Sequence, residues 1–329
     1  MNKITCKVHI SQSNNPYHNL AVEELLLSCV KPDEVLLYLW QNDNTVVIGR
    51  NQNAWRECKL EAFQAQKGHL ARRLSGGGAV YHDMGNQNFT FVAHKDLYDV
   101  ARQSDVICQA VNLFGIKAER SGRNDIIADG RKFSGNAFYS NGIVNYHHGT
   151  ILIASNMSKL GEFLTPSKEK LQAKGVQSVR SRVVNLSELM PDITPEAIRK
   201  ALITSFQEIY QGELQAIDET VLNERELQKL SEHYESKEWT LGHLSEFNQQ
   251  FHTRLSFGEV EVQLYANNGR IEDAKVYSDA MNADWAELVA SALCGALYHT
   301  SSIKASLEKM EVEKENTMEL YDYLESVML

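Results

Sequence analysis

The sequence predicts an α/β (α+β) protein: a mixed, largely antiparallel sheet carrying helices, plus a small α/β unit at the C-terminal end. Three observations predict it. Short β-like runs are joined by tight turns, Asn42-Asp43-Asn44, Asp129-Gly130, Asn141-Gly142 and Asn267-Asn268-Gly269, which favour hairpins over βαβ crossovers. Amphipathic helical stretches are interspersed among these hairpins without a regular repeat. Near Asn248 the pattern restarts, with a hairpin followed by two helices in about 80 residues, a length within the usual domain range. The expected domains are 1–245 and 246–329.

In chain order, 18–30 reads as a helix through Leu20, Val22, Leu25, Leu26 and Cys29, punctuated by Pro16 and Pro32. Segments 35–40 and 45–48 read as strands, 55–67 as a helix, and 71–74, 79–81 and 88–93 as short strands. A helix over 101–114 leads to extended 116–120. Asp129-Gly130 centres a hairpin over 126–138, and Asn141-Gly142 leads to strands at 144–148 and 150–154. Thr194-Pro195-Glu196 starts a helix reaching about Tyr210, with Thr194 as N-cap and proline at the first helical position. In the last unit, 258–265 alternates through Val260, Val262 and Leu264, and 270–277 returns. Helices over 283–298 and 301–329 follow.

Composition narrows the function classes. The chain has 329 residues and 43% hydrophobic content, enough for real cores. Its net charge of −10 is unlike that of a nucleic-acid binder. It has no apolar run near the ~20 residues of a membrane span, and residues 1–20 carry no secretory h-region. Five scattered cysteines without a CxxC pair argue against disulfides and zinc and suit a reducing cytoplasm. Lys168, Lys170, Lys174, Arg180 and Arg182, interrupted by Glu169 as the only acid, form a basic stretch against the acidic trend. By charge alone it is either a solvated face or a rim that steers an anion.

Four polar segments carry the chemistry: 72–83 (RRLSGGGAVYHD), 121–125 (SGRND), 130–138 (GRKFSGNAF) and 147–150 (HHGT). Gly76-Gly77-Gly78 let a backbone approach a ligand and turn N–H groups toward it. Arg73 beside them offers a bidentate fork to an anion. The glycines alone are equally compatible with a tight turn. Lys132, beside the Asp129-Gly130 turn with Ser134-Gly135 adding little bulk, is the candidate central cation for a reaction that builds charge on phosphoryl oxygens. The segments fit neither a Walker A loop nor a Rossmann fingerprint. His147 and His148 are adjacent, so they point to opposite faces of a strand and make a poor metal pair. No cysteine lies inside the four segments, which leaves a thioester mechanism without an obvious nucleophile.

These four segments, in this order, together with Asn19-Leu20-Ala21-Val22-Glu23-Glu24 and 174–182 (KGVQSVRSR), resemble the signature of the lipoate–protein ligases. The resemblance covers essentially the whole chain and is similar to the long bacterial two-domain form. It implies a catalytic domain resembling that of biotin protein ligases. It implies that ATP, with Mg²⁺, activates lipoate (octanoate also being accepted) to lipoyl-AMP with release of pyrophosphate. The lipoyl group then passes to a lysine of the lipoyl domains of 2-oxoacid dehydrogenases or of the glycine-cleavage carrier protein. A monomer acting in the cytoplasm, without nucleic acid or membrane, is expected.

Residue by residue, the resemblance makes Lys132 the catalytic contact to both acyl carboxylate and α-phosphate. It places Arg73, Ser75, Gly76, Gly77, Gly78, Ala79, Val80, Tyr81, His82 and Asn86 at ATP or lipoate. Asn124, Asp125, Ser134, Gly135, Ala137, His148, Gly149 and Thr150 join them. Arg180 and Arg182 belong to a loop over the adenylate, and Asp125 is the Mg²⁺ candidate. Leu74, Val80 and Trp40 are candidate liners of the apolar tail. The alternatives weighed are a cysteine-dependent octanoyl or lipoyl transferase of the same fold, a non-catalytic acyl-binding protein, and a biotin ligase, whose glycine motif has a different form.

Overall fold

The computed structural model describes residues 4–59, 63, 65–122, 124–163, 183–218, 221–242 and 247–328. Within it the strands in chain order are β1 Thr5–Ile10, β2 Glu34–Trp40, β3 Thr45–Ile48, β4 His69–Arg72, β5 Val80–His82, β6 Asn86–His94 and β7 Ala118–Ser121. They continue with β8 Asp125–Ala128, β9 Arg131–Ser140, β10 Val144–Leu152, β11 Glu213–Ala216, β12 Gln249–Leu255, β13 Gly258–Asn267 and β14 Arg270–Ser278.

One sheet has the order β11-β1-β2-β6-β10-β9-β8-β7. Only the β11–β1 and β1–β2 pairs are parallel; the others are antiparallel, as the turns demand. Asp129 and Gly130 take φ of 50° and 68°, the left-handed pair that a two-residue β8–β9 hairpin needs. One face of the sheet, through Val35, Leu37, Leu39, Phe89, Phe91 and Ile151, packs on the Val100–Asn112 and Pro195–Tyr210 helices in one continuous core. Thr194 caps the second of these, its side chain accepting from the Ala197 N–H. The Pro16–Cys29 helix lies against β6 and β10 and buries Leu20, Ala21, Val22, Leu25 and Leu26. A second small sheet, β4-β3-β5, completes this part.

The chain divides into two compact units that are not contiguous in sequence. The first is 1–47, 58–72 and 80–240; the second is 48–57, 73–79 and 241–329. In the second, β12-β13-β14 form an antiparallel sheet. Its core gathers Val260, Val262, Ile271, Val289 and Leu320 around Trp285, whose indole N–H donates to Thr317 Oγ1 at 3.0 Å. The 48–57 segment is fastened within this unit: Asn51 accepts from Ser278 N, and Arg56 pairs with the buried Glu261 carboxylate at 2.9 Å.

Several expectations change. Residues 144–152 form one strand, because Gly149 continues the ladder; its missing Cβ would lie 2.6 Å from Gly135 O and 2.7 Å from Phe89 Cζ. β1, β11 and β12 were not expected: ELQA and QQFHTRL have little apolar alternation, whereas TCKVHI does alternate, with Cys6, Val8 and Ile10 facing the core. The small unit is therefore three-stranded. Its last helical stretch is two helices, Thr300–Leu307 and Lys314–Val327, the second entered through Glu313 at φ 48°. In 55–67 the described helical residues are Ala54–Glu57, Phe63 and Ala65; residues 60–62 and 64 lie outside the described residues. No helix among the described residues is long and apolar enough to cross a membrane.

Candidate active site

The register of the large sheet aligns one row of residues across five strands. Trp40 pairs with Asn88, Asn88 with Thr150, Thr150 with Gly135, and Gly135 with Asp125. Directly paired residues project to the same face, so these five share the face opposite the main core. The next row is Tyr38, Thr90, His148 and Ala137. Strand spacing makes the distance from Trp40 to Gly135 roughly 14 Å.

Lys132 joins this face through a β-bulge. Three residues separate it from Gly135, so a regular strand would send the two to opposite faces. Ile126 instead pairs with Ser134 while Ile127 pairs with Lys132. Phe133 is the extra residue and drops into the core. Lys132 then lies over Gly135: a Cβ on Gly135 would stand 2.8 Å from the Lys132 Nζ. The ammonium meets Asp125 Oδ1 at 2.7 Å, both side chains about one-third exposed. Gly135 N–H points to Thr150 Oγ1 at 3.4 Å. A solvent-reachable cation, a carboxylate and a hydroxyl thus stand together over a glycine floor.

Toward Trp40 the face becomes a buried polar network. The Trp40 indole N–H donates to Thr90 Oγ1 at 3.0 Å, and the Thr90 hydroxyl donates to Glu23 Oε1 at 2.6 Å. His148 Nδ1 is 2.8 Å from the same Glu23 oxygen. Asn42 and Asn88 turn their amide nitrogens to His82 Nδ1, at 3.2 and 3.4 Å, so that nitrogen accepts and His82 carries its proton on Nε2. Asn86 donates to Asn88 Oδ1. Tyr81 points elsewhere, donating to Asn44 and packing near Phe163; burial pushes its phenol up to about 12.

The glycine loop, in the second unit, uses its cation differently from expectation. The Arg73 fork is turned on its own loop: NH2 donates to Gly76 O and Gly78 O at 2.7 and 2.8 Å, and Nε to Ser75 Oγ at 3.0 Å. Arg73 therefore shapes the loop, because converging carbonyls need a donor more than a dissolved anion does. The three glycines have separate reasons. A Cβ at Gly76 would strike Ala280 O at 2.3 Å, Gly77 holds φ of 89°, and only Gly78 faces open space. Ala79 and Val80 lead from this loop into β5.

Ser134 lies on the other face. It pairs with Ile126 and Ile151, is fully buried on the core face, and its side chain points away from Lys132. Gly149 serves as close-packed backbone. Arg180 and Arg182, the 168–182 basic stretch and Arg123 lie outside the described residues. Glu23, Asn42, Thr90 and Asn88 escaped the sequence reading; the available signal was Asn19 and Glu23, one turn apart on an otherwise apolar helix face.

His147 and His148 do point to opposite faces. His147 is fully buried, and desolvation, with His148 nearby, lowers its pKa from 6.5 to about 3. It stays neutral in the folded protein, while an unfolded chain takes up the proton near 6.5. Its contribution to stability is complete above that value and is lost as pH falls toward 3. His147→Phe is expected to flatten the stability–pH curve between these limits in urea titrations; an unchanged slope would mean that the ring is charged when folded.

Residues 15–207 match the model of the lipoyl protein ligase A/B catalytic domain, and 245–324 that of the bacterial lipoate protein ligase C-terminus. The chain belongs to the lipoate–protein ligase family. Curated members of this ligase family agree over nearly the full length. Lipoate-protein ligase A of Psychrobacter cryohalolentis is 40% identical over 310 residues, 91% of each chain. That of Bdellovibrio bacteriovorus is 40% identical over 308 residues, covering 92% of this chain and 91% of its own. Among solved structures, Plasmodium falciparum LipL1 in complex with lipoate superposes with a TM-score of 0.85 at 30% identity, covering 97% of this chain and 98% of its own. The Thermoplasma acidophilum bipartite ligase, described with its E2 lipoyl domain, gives 0.64 at 26%, covering 75% and 99%. A lipoate-protein ligase A bound with ATP gives 0.64 at 25%, covering 74% and 100%. The mixed-sheet fold and the ligase class expected from the motifs are those of the family.

Proposed function

We propose that this chain activates lipoate, or octanoate, with ATP and transfers the acyl group to the acceptor lysine of a lipoyl carrier domain. The observation that carries this reading is the Lys132 ammonium, held by Asp125 over Gly135 at the open end of a row that runs to the buried Trp40. In the first step a carboxylate oxygen attacks the α-phosphorus, the bond to the β-phosphate bridging oxygen breaks, and pyrophosphate leaves. Two anions must meet, and a fixed ammonium between them offsets their repulsion and the charge that grows on the phosphoryl oxygens. In the second step a neutral lysine amine attacks the acyl carbonyl, AMP leaves with the bonding electrons, and the surplus proton on the amine nitrogen passes to water. Lys132 then faces the phosphate of the departing AMP.

The acyl tail would run along the row toward Trp40, which is buried with its N–H satisfied by Thr90. A nucleotide-borne Mg²⁺ needs only one or two carboxylates beside phosphates and waters. Asp125 Oδ2 fits that demand, since Oδ1 takes Lys132; the metal would add charge neutralisation at the phosphates. The carriers are the lipoyl domains of 2-oxoacid dehydrogenases and the glycine-cleavage carrier protein, in line with the E2 lipoyl domain paired with the Thermoplasma relative. A cysteine acyl-enzyme is disfavoured, because burial raises the thiols of Cys6, Cys29, Cys108 (to about 11) and Cys294, whereas a nucleophilic thiolate needs the reverse.

The test is direct. The protein is mixed with ATP, Mg²⁺, lipoate and a lipoyl domain, and the carrier mass is measured. A lipoyl-sized mass increase that requires ATP is expected; no increase, or one independent of ATP, would overturn the reading.

A further inference from the structure

One buried polar chain on the core face has no part in the steps above, and it ends at the site. His147 is caged by Phe89, Phe91 and Phe138, with ring centroids at 5.4, 6.0 and 4.9 Å. Such a position suits an apolar residue, and an imidazole there must be satisfied on both nitrogens. Its Nε2 meets Asn136 Oδ1 at 2.8 Å, and its Nδ1 faces Gln103 Oε1 at 3.1 Å. Asn136 is oriented by its other end: both its backbone N–H and its Nδ2 donate to the Asn124 carbonyl, at 2.9 and 3.0 Å. Nε2 is therefore the donor of the neutral ring, and Nδ1 accepts. An accepting Nδ1 requires the Gln103 amide to turn its nitrogen, in place of the oxygen, toward the ring, which would also give that buried nitrogen a partner.

The Asn124 carbonyl belongs to the peptide that carries Asp125, and Asp125 holds Lys132. A cavity of about 280 Å³ borders this turn, lined in part by Ser104, Arg120, Gly122 and Phe138. Gly122 holds φ of 63°. Packing on that side is thus incomplete, and the two bonds from Asn136 hold the Asn124 carbonyl beside the ladder pairs of Asp125 with Ser121 and Gly135. Without a donor on Oδ1, the Asn136 amide can turn over and withdraw one of them. We propose that His147 is a positioning residue: through Asn136 it fixes the Asn124 carbonyl, and so sets Asp125 against Lys132. This rests on the proposed function, in which Lys132 serves adenylate formation.

The experiment is lipoate-dependent ATP–pyrophosphate exchange by the full chain and its variants. The parent protein decides the proposed function: no exchange there removes that reading, whatever the variants do. Given exchange, His147→Phe, which keeps the ring volume, is expected to lower kcat about tenfold with KM for ATP and lipoate within about twofold, the scale of one hydrogen bond lost near a charged group. His147→Gln, which restores a donor, should recover most of the loss; unaltered kcat in His147→Phe, or equal losses in both variants, would overturn the proposal. If His147→Phe does not fold, Asn136→Ala takes its place with the same expected fall in kcat, and parental kcat there is the overturning result.

Discussion

Lys132→Ala is expected to suppress acyl-adenylate formation by about 10²–10³-fold or more, the cost of removing a preorganised charge from where negative charge develops. The fold should be untouched. The side chain is about one-third exposed, and its pair with Asp125 is equally open, a setting in which an ion pair contributes about 0–1 kcal/mol. Phe133, not Lys132, fills the core at the bulge. Thermal melting should therefore stay near that of the parent while lipoate-dependent pyrophosphate release disappears. A folded variant with parental adenylate yield would sink the mechanism. Lys132→Arg is a useful companion, because a planar fork cannot replace a compact ammonium over a glycine floor.

The second large effect is on stability. Gly149→Ala places a Cβ 2.6 Å from Gly135 O, 2.7 Å from Phe89 Cζ and 2.8 Å from Asn136 Oδ1. None of these can retreat freely: one is backbone of the neighbouring strand, one a core ring, and one is bonded to His147. Overpacking of this kind costs about 1–3 kcal/mol, and urea denaturation should show the midpoint lowered with the slope preserved. Activity should fall along with it, because the displaced strand carries Gly135 and Asn136. Parental stability would mean that β9 and β10 can part without cost.

Sequence and structure divide along a physical line. The left-handed pair at Asp129-Gly130, the Thr194 cap with Pro195, and the opposed His147 and His148 were legible, because each is decided by a few consecutive residues. The four polar segments also identified the family, and Lys132, Asp125 and Gly135 from them stand together on one face.

The sequence could not say that Lys132 shares a face with Gly135. That depends on a bulge, which is a property of the pairing between β8 and β9. Nor could it say that the Arg73 fork would turn inward, since the carbonyls it holds converge only once Gly76 and Gly77 are packed in place. The parallel strand β11 was invisible for the same reason: ELQA becomes a strand because β1 offers an edge, not because its own pattern demands it. The sequence by itself determined the Asp129-Gly130 and Asn141-Gly142 turns, the Thr194 cap, the polar segments and the family, but not that 42–44 joins strands of two different sheets instead of a hairpin. Tertiary structure decided register, face and partner, because those energies arise between residues far apart in the chain and no local pattern encodes them.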